Sequence, residues 1–484
     1  MSEQTTVATP EVDYEGYVSG LVKRAREAQR IAEGYDQARV DELCAAVSFA
    51  ATDEEFRRKA AQMLVDESKM GVFEDKFNKI WNKATGVWRD MKDEKSVGII
   101  EEDHERNLVT YCKPMGVIAA ILPVTNGEAT PIVKSLWALK ARDAIIFTPH
   151  KRAKYTGQFV VNYVRSVLKQ MGAPEDLVIC IDPEMQSRDT TAQLMKQCDF
   201  IVATGGSGLV KAAYSSGTPA IGVGAGNDTT YIDTSADLAD AATKLMRSQV
   251  FDNSSSCSSE NNVIAHKDVY EAFIKECEKV GGYVIRNDSP DKEKIVHAIY
   301  PTWPEKRTLN RDTAAQNVQR VAEIGGFSIP EGTKFIMIEE LDGVGKGFVT
   351  TTEKLCPVVS IIPADSFEDA MTKMTKILEN QGNGHAAGIH TKNQEQIEWM
   401  GEHLHVARIL VNQPQALGNS GAFFNGLPIT MSLGCSTWGG NSTSRNITWH
   451  DIVNTTTVSR EVSGGAPKIE DLYPEKIRAM KFEA

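Results

Sequence analysis

Apolar and polar positions alternate along this chain with two different periods, and the change between them divides it. From residue 12 to about 92 the apolar positions recur at i, i+3, i+4 and i+7: Val18, Leu21, Val22 and Ala25, then Val40, Leu43, Cys44 and Val47. Charged residues fill the gaps, so this opening stretch predicts helices laid on the outside of a larger body. From Val117 the texture changes. GVIAAILPVT, DAIIFTP, LVICID, FIVAT and AIGVGAG are short β-rich apolar runs ending in Gly, Pro, Thr or Asp. Between them lie helix-length stretches such as ATPIVKSLWALKA, TGQFVVNYVRSVLKQMG and TTAQLMKQC. Runs without polar alternation, separated by helices, predict βαβ units and a parallel sheet covered on both faces. Ligands of such sheets bind beyond the carboxyl ends of the strands, where this turn punctuation lies.

A second alternating region follows from about 250 to 430. NNVIAHK, GYVIRN, TKFIMIEE, VVSIIPA, HAAGIHT and ARILVNQ read as strands, and SFEDAMTKMTKILEN and QEQIEWMGEHL as helices. No repeat or low-complexity tract interrupts it, and the serine-flanked cysteine in SSSCSS is the one compositional oddity.

Composition narrows the function classes. A chain of 484 residues, 41% hydrophobic and 24% charged, suffices for two or three domains with sizeable cores. A net charge of -12 argues against nucleic acid and anionic membranes as partners, since both demand basic patches. No run approaches the roughly 20 apolar residues of a membrane span. The polar, acidic opening MSEQTTVATPEVDYEGY lacks the charged and apolar regions of a secretory signal, so a cytoplasmic protein is expected. The eight cysteines show no CxxC and no clustering with histidine. They read as reduced thiols, and no metal site is expected.

The segment Phe251-Asp252-Asn253-Ser254-Ser255-Ser256-Cys257-Ser258-Ser259-Glu260 carries the most chemistry. It follows a helical pattern and precedes a strand, which places Cys257 on a loop among hydroxyls and free backbone N–H groups. Such a cysteine is either an activated nucleophile or an inert, partly buried thiol, and the residues alone leave both open. FDNSSSCSSE resembles the catalytic-cysteine segment of the CoA-acylating aldehyde dehydrogenases, usually FDNGxxCxSEQ. KPMGVIAAILPVTN, TGGSGLVKAAYSSGTPAIGVGAGN, EKLCPV, GHAAGIHT and SLGCSTWGGNS resemble further signatures in family order, from about residue 15 to about 456.

The resemblance implies an α/β, aldehyde dehydrogenase-like fold. Its parts are a Rossmann-like nucleotide-binding domain within residues 1–248, completed by about 431–484 with an oligomerisation segment, and an α/β catalytic domain over 249–430. It implies that Cys257 attacks an aldehyde, that Asn126 stabilises the oxyanion, and that His385 serves the thiol of coenzyme A. NAD or NADP is the implied cofactor, held by Thr125, His150, Lys151, Gly205, Gly206, Ser207, Gly224 and Glu353, and coenzyme A the co-substrate. The basic run Thr148-Pro149-His150-Lys151 stands where hydrolytic NAD enzymes often carry an acid, and it tolerates a 2′-phosphate. Hydrolytic relatives also carry a general-base glutamate upstream of the cysteine. Val223 lies near that position here and cannot take a proton. Small hydroxyls before the cysteine, Ser256 among them, favour an aldehyde with an anionic tail, and Arg445 is the candidate partner for that tail. Within the group the resemblance is to the branch acting on succinate semialdehyde or sulfoacetaldehyde, with acetaldehyde or propionaldehyde as the alternative. A hydrolytic dehydrogenase and a catalytically silent oligomeric scaffold are the competing readings. A homodimer or homotetramer is implied, with the β-prone stretch from Ile447 to Val458 joining subunits. No alcohol dehydrogenase domain is expected after residue 484.

Overall fold

Each of the first three helices starts on an aspartate. In α1 (Tyr14–Glu33), α2 (Gln37–Ala50) and α3 (Glu54–Ser68) the carboxylates of Asp13, Asp36 and Asp53 accept from the N–H groups of Gly16, Arg39 and Phe56. These contacts satisfy donors that a helix leaves unpaired at its start. Val18, Leu21 and Ala25, and then Val40, Leu43, Cys44 and Val47, face inward as their spacing requires. A fourth helix, α4 (Phe73–Met91), completes the opening layer. The computed structural model describes residues 12–224 and 226–482, so the terminal stretch behind the signal-peptide expectation lies largely outside the described residues.

The hairpin β1 (Gly98–Asp103) and β2 (Leu108–Pro114) leads into two parallel sheets. The first holds β3 (Val117–Ile121), β4 (Ala144–Thr148), β5 (Val178–Cys180), β6 (Phe200–Thr204) and β7 (Ala220–Val223), in the order β5-β4-β3-β6-β7. Its crossovers are α5 (Thr130–Ala141), α6 (Lys154–Gln170), α7 (Arg188–Gln197) and α8 (Ser207–Tyr214). Every residue of α5 is buried, because the sheet covers one side and the opening helices the other. The strand order reverses between β3 and β6, so the turns after these strands flank a crevice.

The second sheet holds seven parallel strands: β8 (Asp228–Ile232), β9 (Glu260–His266), β10 (Gly282–Ile285), β11 (Phe335–Glu339), β12 (Val358–Ala364), β13 (Ala387–His390) and β14 (Ile409–Val411). Their order is β10-β11-β12-β9-β8-β13-β14. The helix α9 (Leu238–Val250) buries Ala241, Ala242 and Leu245 against Val263, Phe273 and Phe335 of this half. The chain therefore passes between sheets from Val223 to Asp228, upstream of the boundary at 248 read from the sequence. The reason is pairing: β8 is hydrogen-bonded between β9 and β13. Residues after 428 return to the first half, where Ile429, Ile447 and Trp449 join its core. The last strand, β15 (Val453–Ser459), pairs antiparallel with β2 and leaves its other edge exposed.

The sheets meet end to end. The first presents the carboxyl ends of its strands to the space between them, as expected for a nucleotide sheet. The second presents amino ends, since Cys257 precedes β9, Asp228 opens β8, and His385 and Glu353 precede β13 and β12. No helix among the described residues is long and apolar enough to cross a membrane. No group of three or more His, Cys, Asp or Glu among them is placed to hold a metal ion.

Candidate active site

Between the sheets lies a cavity of about 730 Å³ with Cys257 on its wall. The loop that carries the cysteine is built from an unusual backbone. Asp252, Asn253 and Ser254 all adopt left-handed conformations, with φ of 51°, 52° and 51°. Asp and Asn tolerate this region, whereas serine is strained in it, so the surroundings must hold the turn. Asp252 does much of this. Its carboxylate accepts from Lys79 at 2.7 Å, Lys76 at 3.0 Å, the Val72 N–H at 2.8 Å and the Ser255 hydroxyl at 2.8 Å. Burial works against the charge on Asp252, but the two lysines outweigh it and hold the carboxyl below its usual range. The Ser254 hydroxyl donates to the Gln249 carbonyl at 2.7 Å. Gly226 is required where the chain crosses beside this loop, because a Cβ there would stand 1.9 Å from the Cys257 carbonyl oxygen.

Lys79 also fixes Asn126. Its ammonium donates to Asn126 Oδ1 at 2.8 Å, so the amide presents its Nδ2 donors the other way, one of them to Thr125 Oγ1 at 3.2 Å. Asn126 and Cys257 line the same cavity. Burial opposes the charge on Lys79, yet Asp252 and then Glu128, 3.3 Å away, raise its proton affinity and keep it charged.

Behind the sulfur, His385 is backed by two residues that the sequence pattern did not reveal, Asp228 and, beyond it, Asn419. Cys257 Sγ lies 3.4 Å from His385 Nε2, and His385 Nδ1 lies 2.7 Å from Asp228 Oδ1. Asp228 Oδ2 accepts from Asn419 Nδ2 at 2.8 Å. An ionised carboxylate can only accept, so His385 donates through Nδ1 and turns the lone pair of Nε2 towards the sulfur. Burial, then the charges of Glu353 and Asp228, push the Cys257 thiol up, so at rest it holds its proton and needs this base. Asp228 had one visible signal: an acid opening the otherwise uncharged buried strand DTTYI.

Thr125, Asn126, His150, Gly205, Gly206, Gly224, Ser256 and Glu353 all line the cavity with Cys257, as does Val223. Lys151 follows His150 in the chain and is exposed, but it is not among the residues that line the cavity. Ser207 opens α8, and its side chain lies outside the described part. Arg445 is the expectation that fails. It is bound to Asp451 at 2.6 Å in a separate cavity that holds Trp449 and His450, so a substrate tail beside Cys257 does not meet it. The pairing follows from the local turn, in which Asp451 also accepts from the Thr448 N–H.

Two buried acids take up protons here. Burial, then the Asp228 charge, pushes Glu353 up to about 8. Burial also pushes Glu260 up to about 8, although its Oε1 accepts from the Gln415 N–H at 3.0 Å. The folded protein thus holds protons that the unfolded chain releases near the ordinary carboxyl value. Stability falls as pH rises between those two values and levels off above about 8. Glu260→Gln should therefore gain stability relative to the parent by on the order of 1 kcal/mol per pH unit between pH 6 and 8. Chemical denaturation at several pH values reads this, and parallel curves for the two proteins would refute it.

Residues 18–429 match the aldehyde dehydrogenase family. The chain belongs to that family. This aldehyde dehydrogenase is 41% identical to a sulfoacetaldehyde dehydrogenase (acylating) of Bilophila wadsworthia, over 94% of this chain and 97% of the relative. It is 38% identical to a succinate-semialdehyde dehydrogenase (acetylating) of Clostridium kluyveri, over 90% and 94% of the two chains. Its fold superposes with a TM-score of 0.88 on an acetylating aldehyde dehydrogenase from Geobacillus thermoglucosidasius, 34% identical, covering 95% of this chain and all of that one.

Proposed function

We propose that this aldehyde dehydrogenase oxidises a small anionic aldehyde to its coenzyme A thioester with NAD or NADP as acceptor, through a thioester on Cys257. The observation that carries the reading is the pairing of a nucleophile with a base but not with the hydrolytic glutamate. His385 is 3.4 Å from the sulfur, and Val223, the residue that the resemblance sets near that glutamate, is buried and lines the cavity. The acylating relatives support it.

The nucleotide turn suits a dinucleotide. Gly206 caps α8 without any side-chain cap, and nothing lies within 4 Å of where a Cβ would stand on it. Its open N-terminal N–H groups fit a diphosphate. Gly205, Gly206 and the backbone of Ser207 would hold the diphosphate, Thr125 and Gly224 would lie along it, and His150 and Lys151 would face the adenosine end. Glu353, protonated at neutral pH, can donate to a ribose hydroxyl. When bound, the nicotinamide supplies a hydride acceptor next to the sulfur-bound carbon.

The chain's own residues do the rest. His385 Nε2 takes the proton from Sγ, with Asp228 steadying the resulting imidazolium. The sulfur forms a bond to the aldehyde carbon, and the carbonyl electron pair moves onto an oxygen facing Asn126 Nδ2. After oxidation the imidazolium gives its proton up to solvent; His385 then takes the proton of the coenzyme A thiol, that sulfur attacks the thioester, and Cys257 leaves as thiolate and recovers a proton from His385. Replacing Asn126 by Ala should lower turnover by about 10² to 10³, as for loss of one oxyanion donor. A loss below about tenfold in a steady-state assay would remove it from the site.

The function is tested by supplying aldehyde, coenzyme A and NAD(P)+ and quantifying products. One acyl-CoA per NAD(P)H is expected, and free acid in place of the thioester would reject the reading. The exposed edge of β15 and the apolar residues of the following tail, among them Ile469, Leu472 and Phe482, support a homodimer or homotetramer joined there. We infer a cytoplasmic enzyme, in keeping with its net charge of -12.

A further inference from the structure

The cavity has two ends, and they differ in charge. One reaches the nucleotide turn at Gly205. The other opens between α4, α9 and the segment Ser420–Phe424. Glu353, near Cys257, is the one acid lining the cavity among the described residues. At the open end stand three basic side chains: Lys79, Lys83 and Arg247. Lys79 is neutralised by Asp252 and Glu128. The other two are not. Lys83 touches only neutral oxygens, the Ser420 carbonyl at 2.9 Å, the Ser420 hydroxyl at 2.7 Å and the Gly421 carbonyl at 3.2 Å. Arg247 is exposed and makes no side-chain hydrogen bond or ion pair among the described residues.

An arginine in the last turn of α9 is in a favourable place for a helix end, so Arg247 alone would carry nothing. Lys83 has no such explanation. A half-buried ammonium with no carboxylate in contact is costly; burial, then the Lys79 charge, draws its proton affinity down to about 7 against a smaller opposing pull from Asp90. The Ser420 hydroxyl accepts from Lys83, so its own proton remains for a ligand.

We propose that Lys83, Arg247 and the Ser420 hydroxyl form an anion subsite that receives a carboxylate or sulfonate at the far end of the aldehyde. The inference rests on the acylating reading and names its substrate class. Lys79 and Lys83 lie one helical turn apart, about 6 Å along α4. Lys79 holds Asn126, the residue facing the aldehyde oxygen, so a short aliphatic spacer joins the reacting carbon to the anion. The subsite replaces Arg445 as the partner of the tail.

The test compares kcat/KM for succinate semialdehyde, sulfoacetaldehyde and butyraldehyde, with coenzyme A and NAD(P)+ present. The parent should prefer an anionic aldehyde to butyraldehyde, and the better anion tells carboxylate from sulfonate. In Arg247→Ala and Lys83→Met the ratio of anionic to neutral substrate should fall about 10- to 100-fold, the worth of one charge-assisted hydrogen bond. Arg247→Lys should recover part of it. A parent that prefers butyraldehyde, or ratios that stay constant in both variants, would overturn the subsite. Titration calorimetry with succinate and ethanesulfonate on Cys257→Ala reads the subsite without turnover. Adding Arg247→Ala should weaken the tighter of the two by about tenfold or more, and equal affinities would overturn the proposal. If the parent oxidises none of the aldehydes yet binds the anion through Arg247, the acylating reading fails and the subsite stands.

Discussion

Cys257→Ala leaves a protein that binds the dinucleotide within a few-fold of the parent and produces no NAD(P)H. The two outcomes separate because the residues concerned sit on different sheets. The sulfur stands before β9 on the second, whereas the turn at Gly205 and Gly206 belongs to the first. Removing Sγ takes away the atom that must bond to the aldehyde, so no thioester forms for coenzyme A to attack. The open N–H groups of α8 are untouched. Initial rates with aldehyde and coenzyme A, together with a fluorescence titration of dinucleotide, check both halves. Substantial activity in this variant would be fatal to the mechanism.

Without coenzyme A, the parent enzyme should release about one equivalent of NAD(P)H per active site and then stall. The stall depends on what can attack the thioester. Val223, only 2% exposed, brings no proton acceptor to the cavity. His385 remains as a base, but a free thiol gives up its proton near 8.5 and bulk water near 15.7, a gap of about seven units. The same imidazole that suffices for coenzyme A is therefore poorly matched to water. Rapid-mixing absorbance would show the burst, and added coenzyme A should restart turnover with ping-pong kinetics. Continuous NAD(P)H formation with free acid accumulating would show that His385 or another group activates water, and the acylating reading would fall.

Much of this site could be read from local pattern, and the part that could not shares one physical cause. The strands of both sheets were legible because a strand buried on both faces must be apolar throughout, as in Val117–Ile121 and Ala144–Thr148. The loop bearing Cys257 and the turn at Gly205 were legible because motifs carry their residues contiguously. Asp228, Asn419, Lys79 and Lys83 were not. Each acts across a contact between segments distant in the chain: Asp228 reaches His385, and Lys79 reaches both Asn126 and Asp252. That the chain joins the second sheet before residue 248 was hidden for a related reason, since the partner strands of β8 lie downstream and only pairing reveals them. Arg445 failed because its counter-ion, Asp451, looked like any surface acid in a turn.

The end-to-end meeting of the two sheets has a consequence for redesign. The groups proposed to face the dinucleotide hang largely from the strand exits of one sheet, while the sulfur, its histidine and the supporting aspartate hang from the strand entries of the other. Redox-partner choice and acyl-group choice are thus written on separate scaffolds that share a space rather than a backbone. If residues 148–151 and 204–208 hold the nucleotide as proposed, exchanging them should alter which nucleotide is accepted without shifting the register that aims Cys257. Conversely, α4 and α9 can be recut for a longer or uncharged aldehyde while the dinucleotide seat is kept.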